Sequence, residues 1–420
     1  MSFQQGLSGL NATSKNLEVI GNNIANANTF GSKVSRAEFA DVYAAALNGA
    51  GTSGVGIGTN LAAVAQQFTQ GNITTTQNAM DLAINGAGFF QVSDGKSPVT
   101  YTRNGQFKVD RDGFLVNNKL DRLMGYPADR LGQIQPGQAT PLQLPTGGIA
   151  PNATASIGLE MNLDARQSST VPTTGAAINF NDADTYNNAT SLTVYDAKGQ
   201  EVAMTYYFQK ASTDTWNLFA TANGSSVLGT NAAPQPVTQI QFSPDGSKPI
   251  SPVGPVTLDI PASVNAAGAD TMAIPGVQFD LGGATQYGSS FGVTNIAQDG
   301  FSAGQLTAIA IEANGIVSAR YSNGQSRPAG QIEIATFRNA QGLQPIGDNG
   351  WARTFSSGDP IVGVPGDGNL GVLQAGALEE SNVDLTGELV SMITAQRIYQ
   401  ANAQTIKTQD QVLQTLVNLR

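Results

Sequence analysis

The sequence contains no cysteine and no histidine. Without histidine it has no imidazole general base, no Ser–His or Cys–His pair and no imidazole metal ligand. Without cysteine it has no disulfides, no thiolate sites and no zinc knuckle. A chain without disulfides is typical of the cytosol, but a protein that is threaded unfolded through a narrow channel would avoid such cross-links too.

Charged residues are also scarce. They make up 12% of the 420 residues, and the formal net charge is −10. No basic stripe is present, which argues against a nucleic-acid partner. No run approaches roughly 20 apolar residues, so we expect no membrane insertion. No charged segment followed by an apolar one opens the chain, so we expect no cleavable signal peptide.

Apolar residues at both ends recur with alternating spacings of three and four residues, which predicts helices packed against other helices. At the N-terminus these residues are Phe3, Leu7, Leu10, Leu17 and Ile24, with Ser14 and Gly21 between them. At the C-terminus they are Leu385, Leu389, Met392, Tyr399, Ala403, Ile406, Leu413 and Val417, and Leu416 widens the stripe. We expect the two helices to pair with each other and, through the remaining apolar positions, with copies of the chain.

Two signals mark the entrance of the C-terminal helix. Asp384 is predicted to be its N-cap, because a carboxylate can accept a backbone N–H of the first turn. Glu379 and Glu380 are interpreted as acids at the same entrance, where the helix dipole favours negative charge.

Between the helices the sequence pattern predicts β structure. Short alternating segments occur near residues 84–115, 192–218 and 305–337. Dipeptides that favour turns separate them, at Asp94-Gly95, Asn104-Gly105, Asp112-Gly113, Asn314-Gly315 and Asn323-Gly324. Stretches rich in Pro, Ala and Thr near 134–155 and 249–275 are predicted to be weakly structured connections.

The expected fold class is therefore multi-domain α+β. The terminal helices would pair as an α-helical coiled-coil domain. They would enclose two mainly antiparallel β domains, one of which is inserted into the other. Chain termini often lie close together, which is compatible with such nesting.

Several short motifs resemble catalytic or cofactor sites. Segments 49–54 and 366–371 match the glycine pattern of dinucleotide sites, but neither has the strand–turn–helix context. Segment 288–292 matches a nucleophile elbow, which needs a histidine. Ser93 and Lys96 match the Ser-x-x-Lys spacing, but the Asp-Gly pair between them predicts a turn.

A partial calcium-loop pattern at residues 110–113 lacks the carboxylate of the last loop position. No catalytic, cofactor-binding or metal-binding constellation is left. The sequence predicts that the protein is not an enzyme and needs no cofactor.

The two ends of the chain resemble the terminal signatures of the bacterial flagellar axial proteins, the family of rod, hook and hook–filament junction subunits. The resemblance covers residues 1–33 and 376–420. The core of the N-terminal motif is Asn22, Asn23, Ile24, Ala25 and Asn26, followed by Thr29, Phe30 and Gly31.

Within this family, internal segments point to the hook branch. GFFQV, YTRNGQFKVD and residues 125–127 resemble the first β domain of hook subunits, and TVYDAKGQEVAMTYYF resembles a hairpin of their inserted outer domain. The resemblance implies that distal rod proteins share the ends and the GFF region but lack an inserted domain of this size.

The resemblance implies four structural parts. They are an inner helical domain (1–32 with 376–420), a connecting region (33–72 with 360–375), an inner β domain (73–147 with 294–359) and an inserted outer β domain (148–293). It also implies the function: a structural subunit that stacks helically into a curved, flexible tube. This universal joint would transmit motor torque from rod to filament.

The implied partners are copies of the chain, the distal rod, the hook cap, the hook–filament junction proteins, the hook-length ruler and the flagellar export apparatus. The implied location is the extracellular hook, reached by unfolded export, which favours the threading interpretation of the missing cysteines. The terminal helices have little to bury before assembly, so we expect them to be disordered in the free subunit.

Three alternatives stay open at this point. The nearest is the distal rod or another axial protein. A different class is a secreted adhesin or glycan-binding β protein, suggested by the Thr- and Asn-rich centre. The third is a hydrolase that uses either Ser93 and Lys96 or a pair of carboxylates.

Overall fold

The structure, a computed structural model, describes residues 2–42, 56, 58–129, 132–173 and 177–418. They form two compact units. Unit 1 comprises Met1–Thr146, Ala308–Arg320 and Ser326–Arg420, and unit 2 comprises Gly147–Thr307 and Tyr321–Gln325.

Unit 1 contains two long helices, α1 (Ser2–Ala25) and α2 (Leu385–Asn418). The predicted N-cap of α2 is confirmed, because the backbone N–H of Thr386 donates to Asp384 Oδ1 at 3.0 Å. Glu379 and Glu380 lie before this cap and outside the helix. Their interpretation as acids of the helix entrance was therefore wrong.

The first ten strands belong to unit 1. They are β1 (Ser35–Val42), β2 (Gly58–Gln66), β3 (Ile73–Thr75), β4 (Leu82–Asn85), β5 (Phe89–Ser93), β6 (Thr100–Thr102), β7 (Lys108–Val109), β8 (Leu115–Val116), β9 (Arg122–Pro127) and β10 (Thr140–Pro141). β1 and β2 pair antiparallel, in a region where the sequence analysis predicted no strands.

Of the three turns predicted here, two are confirmed. Asp94-Gly95 lies between the paired strands β5 and β6 with Gly95 at φ +76°, and Asp112-Gly113 lies between the paired strands β7 and β8 with Gly113 at φ +86°. The turn prediction at Asn104-Gly105 was wrong. β6, which precedes it, pairs with β5 and not with the strand that follows. Gly105 instead packs against the main chain: a Cβ there would lie 1.6 Å from the Leu82 carbonyl oxygen. Its small size serves this approach rather than a hairpin.

Unit 2 contains twelve strands and a short 3-10 turn (Ala183–Thr185) within its described residues. The strands are β11 (Ser156–Asn162), β12 (Asn188–Tyr195), β13 (Glu201–Ser212), β14 (Thr215–Ala222), β15 (Ser225–Ser226), β16 (Gly229–Thr230), β17 (Ala233–Pro234), β18 (Thr238–Phe242), β19 (Pro249–Ser251), β20 (Val256–Ile260), β21 (Ile274–Asp280) and β22 (Gly292–Gln298).

Two sheets share one core in unit 2. One has the order β20-β21-β11-β22, and the other has the order β12-β13-β14-β18-β19 with β15 beside β14. Tyr206 of β13 stacks on Phe279 of β21 with ring centroids 4.8 Å apart. The alternation predicted near 192–218 is confirmed, whereas the weak connection predicted for 249–275 was wrong. Strand β20 lies there, and its alternate residues Leu258 and Ile260 are buried.

The remaining strands are β23 (Leu306–Ile311), β24 (Ile316–Tyr321), β25 (Ser326–Ile332), β26 (Ile334–Thr336), β27 (Gln344–Gly347), β28 (Gly350–Ala352), β29 (Ile361–Gly363), β30 (Val372–Ala375) and β31 (Ala377–Glu379), with a 3-10 turn at Ala340–Gly342. The predicted turns Asn314-Gly315 and Asn323-Gly324 are confirmed. They join β23 to β24 and β24 to β25, with Gly315 at φ +83° and Gly324 at φ +80°.

The main sheet of unit 1 has the order β23-β24-β25-β9-β5-β6-β28-β27. Both faces of β5 are buried. Phe90 packs edge-on against Phe107 with centroids 5.2 Å apart, while Phe89 joins a second aromatic cluster with Trp351. The described chain is therefore mostly β, with antiparallel sheets and one helix near each terminus, which confirms the predicted fold class at that level.

Candidate assembly surface

α1 and α2 lie side by side, and small residues bring them together. A Cβ on Gly6 would lie 3.0 Å from Ile406 Cγ1, and one on Gly9 would lie 3.0 Å from Asn402 Nδ2. Three of the four described residues of α1 that are buried follow a seven-residue spacing, at Gly6, Thr13 and Ile20, and the fourth is Asn23 near its end. We call this row, with Gly9, the contact stripe of α1.

A further face of α1 packs on the β1–β2 pair. Gln5 Nε2 donates to the Gly56 carbonyl at 2.6 Å, and the Thr59 N–H donates to Ser8 Oγ at 3.4 Å. Contacts with α2 and with the strands thus occupy two neighbouring faces of α1.

The predicted apolar residues of α1 lie beside the contact stripe rather than on it. Phe3 and Leu7 are 47% and 44% exposed, and Leu10, Leu17 and Ile24 are half-buried. Because these residues are not fully covered within one chain, a row of apolar side chains remains available to another molecule.

α2 is even less covered. Among its described side chains only Ala395 is buried. Of the predicted residues, Met392 and Ile406 are half-buried, while Leu385, Leu389, Tyr399 and Leu413 are exposed. The side chain of Leu416 lies outside the described part of the chain.

Four exposed residues form a row near the start of α2: Leu385, Leu389, Val390 and Ile393, all at least 45% exposed. We call them the exposed row of α2. Residues three and four apart lie on one face of a helix, so these side chains are neighbours.

The asparagine motif organises the end of α1. Asn23 is buried, and its side chain forms both backbone hydrogen bonds with Ser35: Nδ2 donates to the carbonyl at 2.8 Å, and Oδ1 accepts from the N–H at 2.9 Å. Asn23 Nδ2 also donates to Glu388 Oε1 of α2 at 3.1 Å. One amide therefore holds together α1, the first strand and α2.

The neighbouring motif residues terminate the helix. Asn26 Nδ2 donates to the Asn22 carbonyl at 3.0 Å, and the Thr29 N–H donates to the Asn26 carbonyl at 3.1 Å in a tighter turn. The Phe30 carbonyl accepts from Asn349 Nδ2 at 2.8 Å. Of the other two motif residues, Ala25 is exposed and Ile24 is half-buried.

Gly31 is required by its backbone. Its φ is +72°, its N–H donates to the Glu379 carbonyl at 2.8 Å, and a Cβ would lie 2.5 Å from the Asn104 nitrogen. Any other residue would be strained and would collide with main chain.

Directly after the motif lies a buried ion triad that the sequence analysis did not find. Glu379 accepts from Lys33 Nζ at 2.6 Å and from Arg103 Nη1 at 3.0 Å. The side chains of Lys33 and Glu379 are fully buried, and that of Arg103 is 6% exposed. Burial lowers the pKa of Lys33 and of Arg103, and the Glu379 carboxylate opposes both shifts.

Further hydrogen bonds tie the same place together. The Gly71 N–H donates to Glu379 Oε1 at 2.9 Å, and Lys33 Nζ donates to the Thr69 carbonyl at 2.7 Å. Asn382 Oδ1 accepts from the Val34 N–H at 2.7 Å. These segments, with the ion triad, are called the junction below. It joins the chain leaving α1, the chain entering α2 and the main sheet region of unit 1.

Most of the short motifs that resemble catalytic, cofactor or calcium sites lie in described segments, where they have local structural roles. Asp94, between Ser93 and Lys96, accepts the backbone N–H groups of Lys96 and Ser97, and these bonds lower the pKa of Asp94. Asp110 Oδ1 likewise accepts two backbone N–H groups of its own turn. Segment 366–371 leads into strand β30, not a helix. Segment 49–54 lies outside the described residues.

Neither described helix is long and apolar enough to cross a membrane.

Four family models match the chain. Residues 3–33 match the flagella basal body rod protein, 83–195 the flagellar hook protein FlgE/F/G D1 domain, 162–301 the flagellar basal body protein FlaE D2 domain, and 374–419 the flagellar basal body rod FlgEFG protein C-terminal region.

Full-length relatives decide the branch. The chain is 41% identical to the flagellar hook protein FlgE of Salmonella typhimurium over 425 residues, with all of both chains covered. The chain belongs to the flagellar hook protein FlgE family. It is 33% identical to FlgE of Borreliella burgdorferi, covering 99% of that protein. The protein is therefore a structural subunit of the bacterial flagellar hook, and the hook branch prevails over the distal rod.

A solved relative shows that the FlgE fold is shared. The crystal structure of Helicobacter pylori flagellar hook protein FlgE2 superposes with a TM-score of 0.52 at 16% identity. It covers 73% of this chain and 99% of that chain.

Proposed function

We propose that subunits assemble helically through their terminal helices into the curved, flexible tube of the hook, which transmits motor torque from rod to filament. The observation that carries the proposal is the apolar surface that α1 and α2 leave exposed after pairing. It includes Phe3 and Leu7 on α1 and the exposed row on α2. Contiguous apolar surface of this kind marks interaction sites, whereas scattered apolar residues do not.

The assembly residues we propose are those of the predicted stripes on the two helices. Within one subunit the helices would form a coiled coil, and their outer faces would meet neighbouring subunits around the tube. The scarcity of buried side chains on α2 supports this. A helix gains most of its stability from packing, and this one packs little within its own chain.

The same scarcity supports disordered ends before assembly. We propose that the subunit is exported unfolded by the flagellar export apparatus and orders its helices on joining the tube. The absence of cysteine suits this route, because no disulfide can form on the way. The partners would be the distal rod, the hook cap, the junction proteins and the length ruler, and the location would be extracellular.

We also propose the four-part division: 1–32 with 376–420, 33–72 with 360–375, 73–147 with 294–359, and 148–293. Unit 2 contains all of the last part. It is one block of chain apart from Tyr321–Gln325, and unit 1 flanks it in sequence. This connectivity supports an inserted outer domain.

Bending requires that outer contacts break and re-form during each rotation. We propose that contacts between β domains are polar and individually weak, since a net surface hydrogen bond contributes only about 0.5–1.5 kcal/mol. The low charged fraction of 12% supports this, because it limits repulsion between copies.

The test is electron microscopy of polymers grown from full-length protein. Removing residues 1–25 and 385–420 deletes the helices but keeps the ion triad, so no buried cation is stranded. We expect curved tubes from the full chain and monomers from the shortened one. Straight tubes would contradict the curved-joint proposal, and tubes from the shortened chain would contradict assembly through the helices.

Point variants provide a sharper version. Leu389→Gln and Ile393→Gln place amides in the exposed row, and Gln400→Ala changes another exposed position of the same helix. We expect the first two to raise the monomer concentration left beside polymer, and the third to leave it unchanged. Equal assembly of all three would remove the exposed row from the interface.

A further inference from the structure

Phe355 in unit 1 is completely exposed, at 104% of its reference area. It lies in the turn that follows β28, far in sequence from the assembly helices. A single exposed apolar residue is common and needs no explanation by itself. The hydrogen bonds around this turn distinguish Phe355 from other exposed apolar residues.

Hydrogen bonds within the turn and to the 3-10 turn Ala340–Gly342 hold the turn of Phe355 in place. Thr354 Oγ1 donates to the Gly342 carbonyl at 2.6 Å, and the Thr354 N–H donates to the Oγ of Ser357, which is 1% exposed. Asn339 Nδ2 donates to the Ser356 carbonyl at 3.0 Å. Bonds to the 3-10 turn beneath thus fix the base while the phenyl ring projects into solvent. A projection that is already ordered loses little entropy when it docks.

Unit 1 also carries a shallow groove that can receive such a ring. Five of its eight lining residues have aliphatic side chains, and the others are Thr76, Gln77 and Gly376; the five are Ala79, Ile309, Ala310, Ile311 and Ala375. Its volume is about 320 Å³. Ile309 and Ile311 are half-buried, so part of their surface is still open.

We propose that Phe355 of one subunit docks into this groove of a neighbouring copy in the hook. The inference rests on the helical homopolymer proposed above. Contact between two different patches of the same chain is head-to-tail, and it generates an open helical array, as a tube requires, when its rotation does not close into a ring.

The small area of this contact favours a neighbouring copy of the chain as the occupant of the groove. A phenylalanine offers about 150–250 Å² of surface. A stable pairwise complex buries about 1,200 Å² or more. A free soluble partner would not be retained by this contact alone. A copy that is already held in the tube by its other neighbours would be retained, and the contact would repeat at every subunit.

The first test measures the monomer concentration in equilibrium with polymer of the full-length chain. Phe355→Ala should raise it roughly ten- to a hundredfold, and Phe355→Leu should recover most of the loss. Unfolding of the free chain should not change, because the ring contacts nothing there. Ala375→Glu should match Phe355→Ala, whereas Gln374→Glu, on the other face of β30, should resemble the unmodified chain.

The second test uses the absence of native cysteine. Polymers mixed from Phe355→Cys chains and Ala375→Cys chains should form covalent dimers on oxidation. Either variant alone, or Phe355→Cys mixed with Gln374→Cys, should not. Mixing two kinds of chain excludes a bond within one subunit.

Two results would overturn the docking: Phe355→Ala assembling at the unmodified concentration, or mixed polymers without covalent dimers. Failure of the unmodified chain to polymerise would overturn the homopolymer and the docking together. Assembly of the unmodified chain and of Phe355→Ala alike overturns the docking alone.

Discussion

Glu379 is the residue whose loss should destabilise the junction most. Its fully buried carboxylate binds Lys33 Nζ at 2.6 Å and Arg103 Nη1 at 3.0 Å. Glu379→Ala would leave both cations buried without a counter-charge. Breaking a buried pair costs about 3–5 kcal/mol, and the Gly71 N–H would also lose its acceptor at about 1–3 kcal/mol. Because the terms are not additive, we expect a loss of about 5 kcal/mol.

The two tryptophans make this loss measurable. Trp351 is buried in unit 1 and Trp216 is buried in unit 2. In a Trp216→Phe background, fluorescence during urea unfolding reports on unit 1 alone, and a Trp351→Phe background reports on unit 2. Glu379→Ala should lower the midpoint of the first signal and leave the second unchanged.

If the junction orders only on assembly, the loss of about 5 kcal/mol weakens polymerisation instead of lowering the stability of the free chain. The free chain would then unfold normally, while the monomer concentration beside polymer would rise more than a hundredfold, since about 1.4 kcal/mol is a factor of ten. A stabilising role of the triad is refuted if Glu379→Ala changes the free energy of unfolding of unit 1 by less than about 1 kcal/mol and the monomer concentration beside polymer by less than about tenfold.

A charge-free triad is the matched control. Lys33→Met, Arg103→Met and Glu379→Leu together leave no buried charge, so this triple variant should recover most of the stability lost in Glu379→Ala. A triple variant as unstable as the single one would show that packing, not uncompensated charge, causes the loss.

Three further predictions concern single residues. Gly31→Ala should raise the monomer concentration beside polymer by tenfold or more, because it adds about 1–2 kcal/mol of backbone strain and a collision with main chain. Gly21→Ala should leave this concentration unchanged, because Gly21 lies in a helix with open space around it. Asn23→Ala should raise it about five- to thirtyfold, because buried groups lose their partners, whereas exposed Asn22→Ala should have little effect. A hydrogen bond from the arginine two residues later lowers the pKa of Asp164 to about 2, below the ordinary value of about 3.9. Unit 2 should therefore lose stability as the pH falls from about 4 to 2. Asp164→Asn should reduce this loss in urea midpoints read from Trp216 without abolishing it, because hydrogen bonds also lower the pKa of Asp196 and of Asp245 in unit 2.

Local signals explain what could be predicted. The terminal helices follow from apolar residues spaced three and four apart, and Asp384 caps α2 through a neighbouring N–H. The turns at Gly113, Gly315 and Gly324 follow from residues that accept positive φ. Each of these features depends on residues within a few positions of one another.

The hydrophobic periodicity did not predict which face of α1 contacts α2. The apolar positions Phe3 and Leu7 predicted a packed face, but α2 contacts the neighbouring stripe that contains Gly6 and Gly9. A hydrophobic pattern reveals that a face is apolar, and small residues that permit close approach carry no such pattern. Ile406 of the predicted α2 stripe does meet this contact, and on α1 the signal was the pair of glycines near Asn402 and Ile406.

The sequence by itself determined the helical ends, several turns, the family and, through the absence of histidine and cysteine, the exclusion of imidazole and thiolate chemistry. Only the tertiary structure decided the junction. Lys33 and Glu379 are 346 positions apart, and Arg103 and Glu379 are 276 apart. No local pattern links such residues. They become partners because the chain leaving α1 and the chain entering α2 meet beside the end of β6, where each buried charge must find its counter-charge.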